Sequence, residues 1–554
     1  MGLNITQRQT VLSSVLAAPS MMFMLVFFVF PCLLLLLYSF WTARSFVIDP
    51  TFNLDNYART LTAAGFWRTG LTGLNNGLWT AIVSVVLSFP AAYYIVYRAR
   101  GNAAFYLILL SWLQVIGTDA WILLSLGWSL WSALLGLGTA LTTRLRWWPV
   151  AVAAVWVLSE ALRDRMPWGG FPWGRLAFSQ PDSPLTPLAA ILGAPGVTFA
   201  VALVGTLLAG VALAARAGRV RAAGLALLAA VAVAGAGLLV PLPVTGQGTP
   251  SSATIAVVQG NVPEVGLDFN ARRRAVLENH VTETIRLSQR VARGEVPAPQ
   301  AVIWPENSSD VNPFSDQLAA ARIAAAAAAI QAPILVGAVI DAPGSGDQLW
   351  NVGLVWQPGS GPSDSYAKQH PVPFGEYLPG RSLLGGLVDR FKRIPRDFVG
   401  GDEPGVLQVG PARIGDVICF EIAYDDIVRN VVRSGGRVLV VQTNNATYGG
   451  TSQPAQQVAM SRLRAVEHGR GVLVAATSGI TAVLAADGTV VDQLPESRPG
   501  TIVTQVPLRD TLSIADRLGV WPELVLATVG VLGCIVGGVV GWRRRAGQRI
   551  GSST

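Results

Sequence analysis

Apolar residues are spread unevenly along this chain. Runs of about the 17–25 residues needed to cross the hydrocarbon core of a bilayer recur at 21–43, 74–96, 103–120, 121–140, 147–162, 187–215, 222–241 and 520–541. They predict about eight transmembrane helices. The first, Met21–Trp41, is longer than a signal-peptide core and lacks a convincing small-residue cleavage site after it, so it reads as a retained span. A Pro/Gly/Ser/Thr linker from Pro241 to Ser252 then changes the pattern. Strand-like runs follow at Thr254–Asn261, Ala301–Trp304, Ile334–Ile340, Asn351–Trp356, Ala412–Cys419 and Arg437–Thr443. Between them lie helical stretches at Ala271–Arg293, Leu318–Ile330 and Gln453–His468. Strands alternating with helices predict α/β layers, and 252–509 is long enough to bury one core.

Composition sharpens this division. Of the 554 residues, 51% are hydrophobic, and the few charges concentrate in 252–509. The net charge of +8 rests on arginine, since Lys368 and Lys392 are the only lysines. A basic stripe with interleaved aromatics is absent, which argues against nucleic acid as a partner. Arg98 and Arg100, Arg144 and Arg146, Arg216, Arg219 and Arg221, and Arg543–Arg545 sit at span ends. Under the positive-inside rule they mark one cytoplasmic face, with both termini inside and 252–509 outside. Arg163, Arg165 and Arg175 fall on the outer side by the same count, where they are expected to meet lipid phosphates. Nine of the seventeen tryptophans lie between Trp112 and Trp173, the composition of an interfacial belt. Within that stretch Pro167–Gly174 is too rich in proline and glycine for a helix, and its aromatics suit a loop dipping into the interface.

Cys32 and Cys534 lie in apolar spans, which leaves Cys419, after the strand ending Val417-Ile418, as the cysteine placed for chemistry. A free thiol is mostly protonated at neutral pH and needs a base or a cation beside it. His280, His370 and His468 are poorly placed, His370 being the nearest to a motif. Glu306 follows a strand and offers a carboxylate base, and Lys368 offers a fixed positive charge for an oxyanion. Each also has an ordinary reading: a turn glutamate, a solvated lysine and a small core cysteine. No Cys/His group has zinc spacing, and neither a metal nor an organic cofactor is expected.

Order and surroundings decide between these readings. Trp304-Pro305-Glu306, Tyr366-Ala367-Lys368 with Pro371–Pro379, and Ile418-Cys419-Phe420-Glu421 resemble the Glu-Lys-Cys motifs of the nitrilase (carbon–nitrogen hydrolase) superfamily. Arg464–Arg470, Ser478–Ala482 and the loop Gly170–Gly174 narrow the resemblance to the apolipoprotein N-acyltransferase family. That resemblance implies a nitrilase-like α-β-β-α sandwich at 252–509, carried outside the membrane by spans at 121–241 and followed by one transmembrane helix at 520–541. It implies Glu306 as general base, Lys368 as oxyanion partner, Cys419 as nucleophile and Glu376 as a second glutamate orienting Lys368. Phe420 and Glu421 would shape the pocket, with a helix-start or surface carboxylate as the plain alternative for Glu421. The loop Asn444–Gly449 places Tyr448 where the family usually has phenylalanine, which bears on acceptor recognition. Residues 1–120 depart from the family's usual start. Thr51–Tyr57 and Phe89–Tyr93 resemble the amino-terminal part of ABC transporter permeases, although the permeases' coupling segment is missing.

The implied activity moves a fatty acyl chain from a phospholipid, through a cysteine thioester, to the amino group of a diacylglyceryl-cysteine lipoprotein. Such a chain is expected to act as a monomer in the bacterial inner membrane. A membrane-tethered amidase and, from another class, a transporter component are the alternatives.

Overall fold

The computed structural model describes residues 42–44, 47–49, 54, 110–242, 251–262, 269–344, 346–384, 391 and 394–551. Two compact units divide the chain, Met1–Arg98 and Ala99–Thr554. In the first, β1 (Thr42–Arg44) and β2 (Val47–Asp49) pair antiparallel, Thr42 opposite Asp49. The expected spans at 21–43 and 74–96 fall almost wholly outside the described residues, as do Cys32 and Lys392.

The second unit opens with a 3-10 turn at Ser111–Val115, followed by α1 (Thr118–Thr142). A span was expected to run through 103–120, but residues 110–117 do not continue it as a regular helix. Next come α2 (Trp148–Arg163), α3 (Ala189–Arg216) and α4 (Val220–Gly235). Among the described residues four helical stretches are long and apolar enough to cross a membrane: Thr118–Thr142, Thr186–Arg216, Val220–Leu239 and Trp521–Arg544. At 16 residues α2 spans about 24 Å, short of a full crossing, and it ends in buried Glu160 and Arg163. Glycine sets how these helices meet. A Cβ at Gly530 would press on the Ala154 carbonyl of α2, and one at Gly537 on the Leu141 carbonyl of α1. Small residues at these contacts let backbones approach where lipid supplies no hydrophobic drive.

The α/β part contributes β3 (Ser251–Gln259), α5 (Phe269–Ala292), β4 (Ala301–Ile303), α6 (Gln317–Ile330), β5 (Ile334–Asp341), β6 (Leu349–Gln357) and β7 (Gly361–Ala367). It continues with β8 (Val406–Val409), β9 (Ala412–Ile418), α7 (Asp425–Arg433), β10 (Val438–Thr443) and α8 (Gln453–His468). The last elements are β11 (Val472–Ala476), β12 (Ala482–Leu484), β13 (Val490–Gln493), β14 (Gly500–Leu508), α9 (Ile514–Leu518) and α10 (Trp521–Gly551). One sheet has the order β14-β3-β4-β5-β6-β7 and the other β13-β12-β11-β10-β9-β8. Ile255, Ile303, Leu335 and Val355 of the first meet Ile414, Val438, Val440 and Leu473 of the second in a dry inner layer. Helices α5 and α6 cover the outer face of the first sheet through Leu277, Val281, Ile323 and Ala327. This is the expected α-β-β-α sandwich.

The outer layer of the second sheet is shared with the membrane part. Val417, Leu439, Val441 and Val474 pack with α7 and α8, and the same buried cluster takes in Trp112, Trp128, Trp173, Phe178 and Val197. Those tryptophans are core residues, not members of an interfacial belt. Two of the three arginines expected to face lipid are likewise turned inward, while Arg165 stays exposed. Arg163 and Arg175 are 3% and 4% exposed. Arg175 contacts Asp425 at 2.6 Å and Asp164 at 3.3 Å, and Arg165 pairs with Glu523 of α10 at 2.6 Å. Asp425 also receives Arg464 of α8 at 2.7 Å, and Arg464 donates to the Ile422 and Ala423 carbonyls. One carboxylate therefore joins the loop after α2 to the sandwich.

Burial opposes the charge on Asp425, but Arg175 and Arg464 outweigh it and hold the carboxyl below the ordinary range. Removing it takes the shared carboxylate from two buried guanidinium groups, which keep Asp164 and Glu467 as partners, so the cost is about 1–3 kcal/mol. Asp425→Ala is expected to lower the thermal midpoint of the detergent-solubilised protein accordingly. The stabilisation is present at neutral pH and is lost as pH falls through the depressed folded value, so acid melts of the variant and the parent should converge. A variant as stable as the parent at pH 7 would show that the network does not hold the two parts together.

Candidate active site

Strand direction brings the chemistry to one edge. β3, β4 and β5 run parallel, and β7 shares their direction because both β5 and β7 pair antiparallel with β6. In the other sheet β9, β10 and β11 are parallel. Glu306 follows β4, Lys368 follows β7, Cys419 follows β9 and Asn444 follows β10. Carboxyl ends of parallel strands are where α/β folds leave backbone groups free for a site.

Lys368 is 2% exposed and Glu306 4%. The Lys368 Nζ donates to Glu376 Oε1 at 2.8 Å and to Glu306 Oε1 at 3.3 Å. Burial alone would push the ammonium down, but Glu376 and Glu306 outweigh it and hold the group well above its usual value. Asn351 of β6 bridges the two carboxylates, its Nδ2 donating to Glu306 Oε1 at 2.8 Å and to Glu376 Oε1 at 2.9 Å. The second oxygens are held by backbone, the Asn444 N–H on Glu306 Oε2 and the Val372 N–H on Glu376 Oε2. Neither carboxylate is free to swing.

Cys419 has φ +55°, in the left-handed region that a side chain with a Cβ seldom occupies. The chain turns sharply there from β9 into the 3-10 turn Cys419–Ala423, and such strain is characteristic of reactive positions. Thr443 Oγ1 donates to the sulfur at 3.3 Å, and Gln457 Nε2 donates to the Cys419 carbonyl at 3.0 Å. Burial and the neighbouring Glu306 carboxylate push the thiol up to about 12, Lys368 only partly opposing them. The resting group is a thiol, and a base must take its proton as it attacks.

The other residues singled out in the sequence hold different positions. Glu421 is fully buried, which rules out the surface reading, and it stands in the first turn of the 3-10 helix Cys419–Ala423, the helix-start alternative. Its oxygens accept from the Ile418, Gln369 and His370 N–H groups and from the Tyr366 hydroxyl, tying the cysteine turn to the lysine segment. Burial raises its carboxyl to about 7 despite these donors. Phe420 faces the membrane part, parallel to Trp173 at 5.8 Å and stacked on Phe171 at 5.3 Å. The loop Pro167–Gly174 is thus a bed for the nucleophile turn, and the Tyr424 hydroxyl donates to the Gly170 carbonyl. Tyr448 meets Trp112 edge-on at 5.1 Å, close enough to the site that burial first, and the Glu306 carboxylate with it, raise its phenol. His370 lies against Tyr424 at 4.1 Å and approaches the Gly169 carbonyl, engaged away from the thiol. A cleft of about 420 Å3 beside the site is lined by His370, Tyr424, Arg429 and Glu523, but not by Glu306, Lys368 or Cys419.

Asn351, Thr443, Asn444 and Gln457 are site residues that motif reading missed. Asn351 carried a signal, as a polar residue opening an otherwise apolar strand. Among the described residues no group of three or more His, Cys, Asp or Glu is arranged to hold a metal ion.

Residues 254–516 match the family model for carbon-nitrogen hydrolase, and residues 77–207 match that for the apolipoprotein N-acyltransferase N-terminal domain. The latter match begins upstream of residue 121, inside the segment that resembles transporter permeases. The apolipoprotein N-acyltransferase of Mycolicibacterium smegmatis is 41% identical over 488 residues, covering 84% of this chain and 81% of that protein. Its counterpart in Haemophilus ducreyi is 28% identical over 386 residues, covering 67% and 72%. Among solved structures, a mutant of the Nesterenkonia AN1 amidase from the nitrilase superfamily is similar over 49% of this chain and 96% of that chain. Its TM-score is 0.36 and its identity 18%. Carrying both family domains in one chain, and so close a relative over most of its length, this protein belongs to the apolipoprotein N-acyltransferase family.

Proposed function

We propose that this chain transfers a fatty acyl group from a phospholipid to the amino terminus of a diacylglyceryl-cysteine lipoprotein, with Cys419 as the covalent carrier. The observation that carries the reading is the buried Glu306–Lys368–Glu376 set beside a strained cysteine whose turn is packed onto membrane-domain aromatics. Glu306 takes the Cys419 proton as sulfur attacks the ester carbonyl of the phospholipid. The oxyanion that forms is stabilised by the Lys368 ammonium and a backbone N–H beside the cysteine. Collapse breaks the ester C–O bond, and protonated Glu306 returns the proton to the departing lysophospholipid. The lipoprotein amine then attacks the thioester, Glu306 accepts its proton, the C–S bond breaks and the thiol is restored. Glu376 and Asn351 keep Lys368 and Glu306 in register through both halves.

Both substrates carry acyl chains, and moving a chain through water costs about 0.8 kcal/mol per exposed CH₂. A nitrilase-type site sharing a core with membrane helices avoids that cost. The arginines at 144, 146, 216, 219, 221 and 543–545 support a topology in which the sandwich faces the outside of the bacterial plasma membrane.

Incubation of the purified protein with phospholipid should give a mass increase of one acyl chain, absent in Cys419→Ala and discharged onto an added diacylated lipopeptide. Rapid discharge to free fatty acid without an amine would instead mark a hydrolase.

Thiol titration tests the assignment of charges. Glu306→Gln removes a negative neighbour, so alkylation of Cys419 should set in at lower pH than in the parent. Lys368→Met should shift it higher, and both should slow acyl transfer by at least about a hundredfold. Unchanged alkylation profiles, or intact acyl transfer in either variant, would remove that residue from the mechanism.

A further inference from the structure

Behind the catalytic residues the inter-sheet core contains an acid that the reaction does not use. Asp416 lies on β9 three residues before the nucleophile, with Ile414 and Ile418 on the same inward face, and is 0% exposed. Among the described residues neither of its oxygens has a hydrogen-bond partner. Gln442, on the neighbouring β10, is also fully buried, and its Oε1 is likewise unpartnered. Both side chains converge on Gly353 of β6 across the core. A Cβ there would collide with Oδ2 of Asp416 and lie 2.8 Å from Oε1 of Gln442. Two acceptors thus point to one place, with no donor between them.

The amide of Gln442 is committed at its other end. Its Nε2 donates to the Trp304 carbonyl at 2.5 Å, two residues before Glu306. Gln442 also directly precedes Thr443, which donates to Cys419, and Asn444, whose N–H holds Glu306. The Asp416–Gln442–Trp304 line therefore joins β9, β10 and the end of β4 beneath Cys419 and Glu306.

We propose that Asp416 is held as the neutral carboxylic acid and donates its proton to Oε1 of Gln442, making Asp416 a positioning residue for Glu306. One proton satisfies the two acceptors that meet at Gly353, Oδ2 of Asp416 and Oε1 of Gln442, which would otherwise each carry an unpaid desolvation penalty in a dry core, and it removes the charge left on Oδ1. The charges facing this carboxyl favour the same state. Glu421 from the cysteine turn and Glu306 from the end of β4 are both negative when ionised, and the Tyr366 phenol of β7 donates to Glu421. Burial comes first among the causes that raise the group far above the ordinary carboxylate range, and the Val417 N–H opposes it only weakly.

The effect on turnover rests on Glu306 being the base, whereas the protonation itself does not. In a carbonyl-free detergent at pH 9, above the value of about 7 for Glu421, Asp416 is expected to keep its proton. The infrared C=O stretch of a protonated carboxylic acid should therefore persist in the parent and vanish in Asp416→Asn. The asparagine amide still donates to Gln442, so thioester formation from phospholipid should stay within about twofold of the parent. Asp416→Val leaves Oε1 without a donor, and thioester formation should slow about tenfold or more with little change in KM for phospholipid. If the Asn variant loses no such band, the proton is not on Asp416. If Asn is as impaired as Val, or Val is as fast as the parent, the positioning role is wrong. A parent that forms no thioester at all would fail the acyl-transfer reading while the infrared result still decides the proton.

Discussion

A buried lysine cannot stand alone, and the catalytic half of this protein is arranged around that constraint. The Lys368 ammonium is almost wholly removed from water, so two carboxylates must accompany it. Those carboxylates need anchors of their own, which come from Asn351 on β6, the Asn444 N–H after β10 and the Val372 N–H in the segment after Lys368. Strand ends from both sheets are thereby fixed to one charged centre. Burial and the Glu306 carboxylate beside the thiol outweigh Lys368, so the sulfur rests protonated next to a carboxylate.

The same logic extends to the membrane part. Asp425 sits between two buried guanidinium groups from different segments, and the nucleophile turn presents Phe420 to Trp173 and Phe171. The second sheet has no complete outer layer without these residues. The carbon-nitrogen hydrolase sandwich and the apolar helices thus share one continuous core, and those helices help build the turn that carries the cysteine.

Much of this was legible in the chain, for identifiable reasons. Central strands such as β3, β5 and β10 are buried on both faces and read as unbroken apolar runs. Edge strands were missed. β13 is exposed throughout and most of β7 faces water, so neither shows a hydrophobic pattern. The triad residues were visible because each follows a strand in a distinctive motif. Glu421 was harder, since a carboxylate one step past Phe420 looks the same in sequence whether it lines a pocket or ties two backbone segments together. The arginines between α2 and α3 misled for a related reason. Positive charge near a span end ordinarily signals the membrane surface, and only tertiary structure reveals that Asp164, Asp425 and Glu523 await them.

The protonated state of Cys419 has a further consequence for the lifetime of the enzyme. Sulfenic acid formation and mixed-disulfide exchange proceed through thiolate, and the rate of each falls with the fraction ionised. In the mechanism proposed above the sulfur gives up its proton only as it attacks a carbonyl, and it is chemically quiet between turnovers. Under the proposed mechanism, the burial and the Glu306 carboxylate that keep this thiol protonated also shield it from oxidants, and an acyl carrier that waits on two lipid substrates keeps its thiol while it waits.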